Sequence, residues 1–412
     1  MQKLALLQVL KHREPRLLIL GQMVSTFGDG VGYVAFALLV LDLTHSVSDL
    51  SLFAAARMLP MVAVLLLGGA VTDRVSRRLL LLISDFGRGV LSAAVAALCV
   101  SGLIKFWELL AFAGLFGLFD AVFSPSITAI TPEIVSEELL PAMNAAGPFT
   151  NSLMGQMIGP AVGGALTAFS ASLAIGVDAA TFFFSALMLF VMKKTPRPQQ
   201  TSSTSIFEEM KGGLSFFFQT RWMWTTCIAV AFINALVFMP SGALLPYFYR
   251  HDLHLTKVTV GFAFAIAGVF GTVGALVSSN LKIPRRRIRV MWMYWIIGTL
   301  SALFIGIANN LAVAIIFPII SLITMLMGNV IFTTMMQVEV PKEMLGRASS
   351  IDWFFSLGLG PLGLVLGGIL ASHWGVRTYF VVMGVACAVP GTWILLSKRI
   401  NEVDRSRLRQ EV

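Results

Sequence analysis

Charged side chains are scarce in this sequence. Asp, Glu, Lys and Arg make up 12% of the residues, against about 25% in an ordinary soluble domain. Hydrophobic residues make up 57%, and the mean hydropathy is +0.83. So few polar side chains cannot cover a surface in water, which excludes a water-soluble globular protein. The stretches 139–177, 222–249, 258–281, 290–338, 353–376 and 378–397 carry no charge at all. Each is at least as long as the ~20 residues a membrane helix needs. The alternation of a transmembrane β-barrel is absent. Cysteine is rarer still: Cys99, Cys227 and Cys387 all fall in apolar runs, read as small packing residues, with no disulfide or metal spacing. No HExxH, GxSxG or GxxxxGK[ST] motif occurs, so the expectation is no enzyme, no metal, no cofactor and no ATP site.

What is present is a set of long apolar segments. Twelve spans are expected near 17–41, 50–72, 79–101, 108–130, 143–168, 172–192, 222–246, 258–281, 290–307, 312–336, 348–372 and 378–397. The fold class is therefore an all-α, multi-pass membrane protein in a lipid bilayer. With the N-terminus in the cytoplasm, 24 of the 30 Lys and Arg fall on the cytoplasmic side and four on the other, and Arg57 and Arg88 lie inside spans. That asymmetry is a positive-inside signal; it places both termini in the cytoplasm. It also accounts for the net charge of +9 without a nucleic-acid partner. The start, MQKLALLQVLKHREPR, reads as an interfacial helix rather than a signal peptide, because Gln8 and Lys11 break its apolar run. The polar, Pro- and Ser-rich segment TPRPQQTSSTS is a linker. Its position divides the chain into an N-terminal six-helix bundle (1–193), a cytoplasmic linker (194–221) and a C-terminal six-helix bundle with a short tail (222–412).

Charges inside spans mark function or pairing. Asp29 and Arg57 lie at matching depth in the first two spans, about 20 and 24 Å from the cytoplasmic ends by helical rise, which predicts a buried pair. Asp85 and Arg88, spaced i, i+3 in the third span, predict a second pair, read as structural. Asp120 lies in the inner half of the fourth span. Thr131, Pro132 and Glu133 form a capping pattern that predicts a short separate helix or turn over 131–144. Between the second and third spans, Gly69, Asp73, Arg74, Arg77 and Arg78 form a charged hinge. The fifth span carries Gly155, Gly159, Pro160, Gly163 and Gly164, whose four-residue spacings allow close helix approach and whose proline bends the chain. Gln22, Asn151, Asn234, Asn329, Asp352 and Trp353 are candidate cavity residues, each weighed against a plain helix–helix hydrogen bond or packing role. The methionines of the tenth span read as core or as an adaptable wall.

The halves resemble each other weakly. GPAVGGAL from Gly159 parallels GPLGLVLGGIL from Gly360, and EELLPAMNA from Glu137 parallels KEMLGRASS from Lys342. Such repeats suggest a transporter of two similar halves with a central substrate site. The hinge, Gly69 followed by Asp73, Arg74, Arg77 and Arg78, resembles the loop signature of the major facilitator superfamily. The fifth-span set from Gly155 to Gly164 is similar to the superfamily's antiporter motif. Phe123, Pro125, Thr131, Pro132, Asp178, Met239, Pro240 and the run from Pro341 to Arg347 resemble the bacterial macrolide-efflux and enterobactin-exporter branch. Superfamily antiporters usually carry an Arg midway in the fourth span, where this chain has Gly117.

The resemblance implies the major facilitator fold, with twelve helices as two pseudo-symmetric six-helix bundles. It further implies a monomeric secondary exporter of amphipathic, drug- or macrolide-like small molecules in the bacterial cytoplasmic membrane, working by alternating access with protons as coupling ion. Asp29, Arg57, Asp85, Arg88 and Asp120 are the charge-relay candidates, with Asp29 and Asp120 foremost. Asp73 is expected to latch onto the segment from Gly346 to Asp352. The alternatives are a siderophore or metabolite exporter, a lipid flippase, and a non-transporting receptor; a receptor would be expected to carry a soluble domain that these short tails lack.

Overall fold

The computed structural model describes residues 9–72, 76–193, 214–280 and 284–397, with side chains at 64–72, 275–280, 342–347 and a few single positions outside the description. Each expected span is helical over most of its described residues. The helices are α1 (Arg13–Thr44), α2 (Val47–Thr72), α3 (Arg77–Ser101), α4 (Phe106–Ile134), α5 (Leu140–Thr150), α6 (Gly159–Phe169), α7 (Ala171–Val191), α8 (Arg221–Ile233), α9 (Met239–Tyr247), α10 (Lys257–Asn280), α11 (Arg287–Leu300), α12 (Leu303–Ile307), α13 (Leu311–Ala314), α14 (Ile316–Glu339), α15 (Lys342–Gly358), α16 (Gly360–Trp374) and α17 (Val376–Leu396). Among the described residues, ten helical segments are continuous and apolar enough to cross a membrane. The expected fifth span is helical but divided, because wider π-helical turns at Asn151–Ile158 separate α5 from α6.

Helix ends follow local chemistry. The hydroxyl of Ser46 accepts from the Asp49 amide at 3.2 Å and starts α2. The Lys105 amide donates to Glu108 Oε2 at 2.8 Å at the start of α4. Helix α3 ends where Gly102 turns left-handed at φ 67°, a conformation that costs glycine little. Proline sets the interruptions: the π turns at Asn151–Ile158 and at Asn234–Phe238 each end two residues before a proline, Pro160 and Pro240. A missing amide donor breaks the regular ladder, and the wider turn accommodates the loss.

The capping pattern at 131–133 is overturned. Helix α4 runs on through Thr131 and Pro132 to Ile134. The Thr131 hydroxyl donates back to the Ile127 carbonyl at 2.9 Å, the mid-helix use of a threonine rather than its capping use.

The chain forms two compact units, residues 1–200 with 246–269, and 201–245 with 270–412. In the first, α1 packs on α7 and α6, α3 lies against α7 and α4, and α2 lies on α4. Residues 246–269 belong to this unit, where Lys257 Nζ pairs with Asp42 at 2.5 Å. In the second, α11 packs on α14 and α17, and α8 on α15.

Glycine makes the close contacts in both units. A Cβ at Gly159 would lie 2.7 Å from Gly30 Cα, and one at Gly163 2.6 Å from the Val31 carbonyl oxygen. Both seat α6 against α1. A Cβ at Gly155 would lie 2.9 Å from the Thr26 methyl, while Gly164 faces Gly261 of α10 instead. In the second unit, a Cβ at Gly363 of α16 would overlap the Ala235 carbonyl. The GP-initiated helices α6 and α16 are thus each seated by glycine on the first membrane helix of their own half.

Gly163→Ala and Gly363→Ala should each lower the thermal midpoint of the detergent-purified protein, by an overpacking cost of about 1–3 kcal/mol. Gly176→Ala, where a Cβ would meet nothing within 4 Å, should leave the midpoint at or above that of the parent protein. Equal midpoints for all three would contradict the packing assignment.

Candidate functional site

Helices α1 to α4 and α7 each bring one or two polar groups to a common point in the first unit. Arg57 of α2 donates through Nε to Asp120 Oδ2 of α4 at 3.1 Å, and its Nη2 lies 3.0 Å from the same oxygen. The same Nη2 reaches Asp29 of α1 at 3.8 Å, with both side chains about a third exposed, so the expected pair forms but is half-buried rather than buried. Arg88 of α3 pairs with Asp120 Oδ1 at 3.1 Å and with Asp85 one turn earlier on its own helix. Ser185 of α7 donates to the second oxygen of Asp85 at 2.5 Å. The two expected pairs and the separate Asp120 are therefore one network, with Asp120 as the bridge. Asp85 and Arg88 are 0% and 3% exposed. The Arg88 guanidinium also lies over the rings of Phe123 and Phe182, at 4.4 and 4.5 Å from their centroids, two cation–π contacts.

Gly117 explains why no arginine stands on α4. A Cβ there would overlap the Arg57 carbonyl oxygen, so α2 closes the space an α4 side chain would need. The guanidinium comes from α2 instead, 5.3 Å over the Phe116 ring.

Sequence reasoning left Asp178 out of the relay. This residue of α7 is 2% exposed. Its Oδ2 accepts from Ser92 at 2.7 Å, and its Oδ1 has no hydrogen-bond partner among the described residues. It lies in the hollow left by Gly28 and Gly32 of α1. The signal was available, since an ionisable residue inside a span is a site candidate by default.

Of the hinge residues, Asp73 and Arg74 lie outside the described residues, as do the surroundings of Gly69, and with them the expected latch. Arg77 pairs with Glu133 of α4 at 2.5 Å. Arg78 donates to the carbonyls of Leu189 and Phe190 at 2.6 and 2.5 Å, and so caps α7. A cation at the end of α7 meets the favourable pole of that helix and its free carbonyls, which offsets its unfavourable place at the start of α3.

A second constellation lies wholly in the second unit. A cavity of about 300 Å³ opens between α8, α11, α14, α15 and the turns at Asn234–Phe238. It brings together four of the six candidate cavity residues, Asn234, Asn329, Asp352 and Trp353. Gln22 and Asn151 belong to the first unit. Asn234 donates to the Ser356 carbonyl at 3.2 Å. Cys227, read as packing, donates its S–H to Asp352 Oδ1 at 3.3 Å. Trp295, Phe332 and Phe238 also line the cavity, and an apolar run carries no signal that separates them from core. Met325 and Met336 form part of the wall.

Removing one partner from a buried ion pair costs about 3–5 kcal/mol. Arg88→Leu should therefore abolish monodisperse, folded protein on size exclusion. Arg13→Leu, which breaks an exposed pair with Glu14, should cost no more than about 1 kcal/mol. Normal yield and thermal midpoint for Arg88→Leu would contradict a load on this network.

Known proteins resemble this chain in sequence and in fold. Multidrug efflux pump Tap of Mycolicibacterium fortuitum is 26% identical over 404 residues, covering 95% of this chain and 98% of that protein. Enterobactin exporter EntS of Salmonella typhi is 26% identical over 397 residues, covering 93% and 92%. The solved structure of a bacterial homolog of the human lysosomal transporter Spinster has the same fold, with a TM-score of 0.72 at 14% identity and 98% of each chain covered. The family model for the Major Facilitator Superfamily matches residues 18–361. Together with the helical architecture and the paired glycine seams, this establishes that the chain is a multi-pass membrane transporter for small molecules and belongs to the Major Facilitator Superfamily.

Proposed function

We propose that this transporter exports amphipathic small molecules across the bacterial plasma membrane in exchange for protons. It acts as a monomer, by alternating access, with both termini in the cytoplasm. The observation that carries the exchange is the charge count of the first-unit network. Three carboxylates, Asp29, Asp85 and Asp120, face two guanidiniums, Arg57 and Arg88. Among the described residues this ion-paired set has one more carboxylate than guanidinium, with Asp178 standing apart on Ser92, and a proton is the group that balances the excess. Asp29 is the member that exchanges it. Asp120 is held by both arginines and Asp85 by Arg88 and Ser185, whereas Asp29 has one ion-pair contact, at 3.8 Å, and a side chain 37% exposed. Asp120 transmits the change, because its two oxygens each hold one arginine.

Export rather than uptake is supported by the names of the relatives, an efflux pump and an exporter that match nearly the full chain. The aromatic and methionine wall of the second-unit cavity suits bulky amphipathic molecules.

The test uses inside-out vesicles with an acid interior and a panel of amphipathic drugs. Wild-type protein should accumulate at least one of them, with an alkaline shift of the lumen that an uncoupler abolishes. Asp29→Asn should lose the proton movement. Gradient-independent transport, or proton movement by Asp29→Asn and Asp120→Asn equal to wild type, would overturn the proposal.

A further inference from the structure

The chemistry of the second-unit cavity is one-sided. Among the described residues that line it, Asp352 is the one that carries a charge, and no Lys, Arg or His joins it. Its Oδ1 takes two contacts from neutral donors, the weak thiol donor of Cys227 at 3.3 Å and the Ser356 hydroxyl at a long 3.4 Å. No ion pair to Asp352 occurs among the described residues, whereas every carboxylate of the first-unit network has an arginine. A carboxylate at membrane depth requires an opposite charge or a strong donor set. Asp352 has neither among the described residues.

The rest of the wall is aromatic. Trp295, Phe332, Trp353 and Phe238 line the cavity. Two of them are fixed from behind. Trp295 is held edge-on by the fully buried Trp292 at 5.2 Å between centroids, and Phe332 by Trp222 at 6.3 Å. Trp295 and Phe332 themselves meet at 6.1 Å. Gly328 of α14 makes the arrangement possible, because a Cβ there would overlap the Trp295 indole nitrogen. Aromatic faces attract cations and offer an anion nothing. With a carboxylate added and no basic group among the described lining residues, the cavity suits a positively charged, ring-bearing molecule. A metal ion is excluded by the donors: one carboxylate and one thiol fall short of a metal set, and no group of three candidate ligands occurs among the described residues.

We infer that the second-unit cavity is a binding site for lipophilic organic cations, with Asp352 as counter-ion and Trp295, Phe332, Trp353 and Phe238 as the aromatic wall. This deepens the export reading, since it rests on the cavity receiving the transported molecule, and it names the charge of that molecule. Trp353, which is 59% exposed, is the adaptable member that closes on the ligand.

The test is equilibrium binding of tetraphenylphosphonium to the purified full-length protein in detergent at neutral pH, with no gradient, so that its outcome does not depend on proton exchange. Tetraphenylborate, of similar shape and opposite charge, is the comparison. Wild-type protein should bind the phosphonium at least about tenfold more tightly than the borate, a difference of about 1.4 kcal/mol. Asp352→Asn should remove most of that preference. Trp353→Leu, which keeps an apolar side chain but removes the ring, should weaken phosphonium binding several-fold and serves should Asp352→Asn fail to fold. Failure of wild type to bind the phosphonium, equal affinity for both ions, or unchanged binding by both variants would overturn the inference. If binding behaves as described but vesicles show no proton-linked transport, the export reading falls and the cation site stands.

Discussion

The first unit depends on how the Arg88 guanidinium is neutralised away from water. It is 3% exposed, in contact with the rings of Phe123 and Phe182 and paired with the carboxylates of Asp85 and Asp120. In a low-dielectric interior an ion must find its opposite within the protein, so one arginine on α3 dictates what α4 and α7 place opposite it. Asp120 then carries the constraint to Arg57 on α2, and Arg57 carries it to Asp29 on α1. Packing obeys the same demand. The α2 backbone approaches α4 so closely that position 117 has no room for a side chain, and the Arg57 guanidinium reaches Asp120 over the Phe116 ring.

Against that tight network, the second unit is built for looseness at one place. Its helices are seated by glycine as firmly as those of the first, with Gly363 against Ala235. Yet it leaves an open volume lined by aromatic rings, methionines and a single carboxylate. The division of labour we propose rests on this physical contrast. A network of charges at fixed distances suits a proton, which changes charge without changing shape. A cavity with rings and flexible thioethers suits a molecule whose shape is not specified in advance.

Much of the fold could be read from the sequence, because a bilayer imposes long uncharged runs and nothing else in the chain produces them. The Asp85–Arg88 pair was legible from i, i+3 spacing, and the Asp29–Arg57 pair from depth along two spans joined by a short turn. Asp120 as the bridge was not legible, since its neighbours come from helices whose rotation no spacing reveals. The pattern from Thr131 to Glu133 misled because a threonine hydroxyl that caps a helix and one that bonds back to the carbonyl four residues earlier occur in the same local sequence. Four of the six candidate cavity residues met in one place because polar groups inside spans are few. Gln22 and Asn151 were selected by the same rule and belong to the other unit. The aromatic wall stayed hidden, as Trp295 and Phe332 sit in apolar runs where core and ligand-facing rings look alike.

The central claim is that the proton at Asp29 and the cation in the second-unit cavity are linked by exchange. It is tested most directly by adding tetraphenylphosphonium to purified protein in weakly buffered solution with a pH-indicating dye. The account predicts proton release by the wild type that saturates with binding, and binding without release by Asp29→Asn. Saturable binding by the wild type with no release, or equal release from Asp29→Asn, would contradict it.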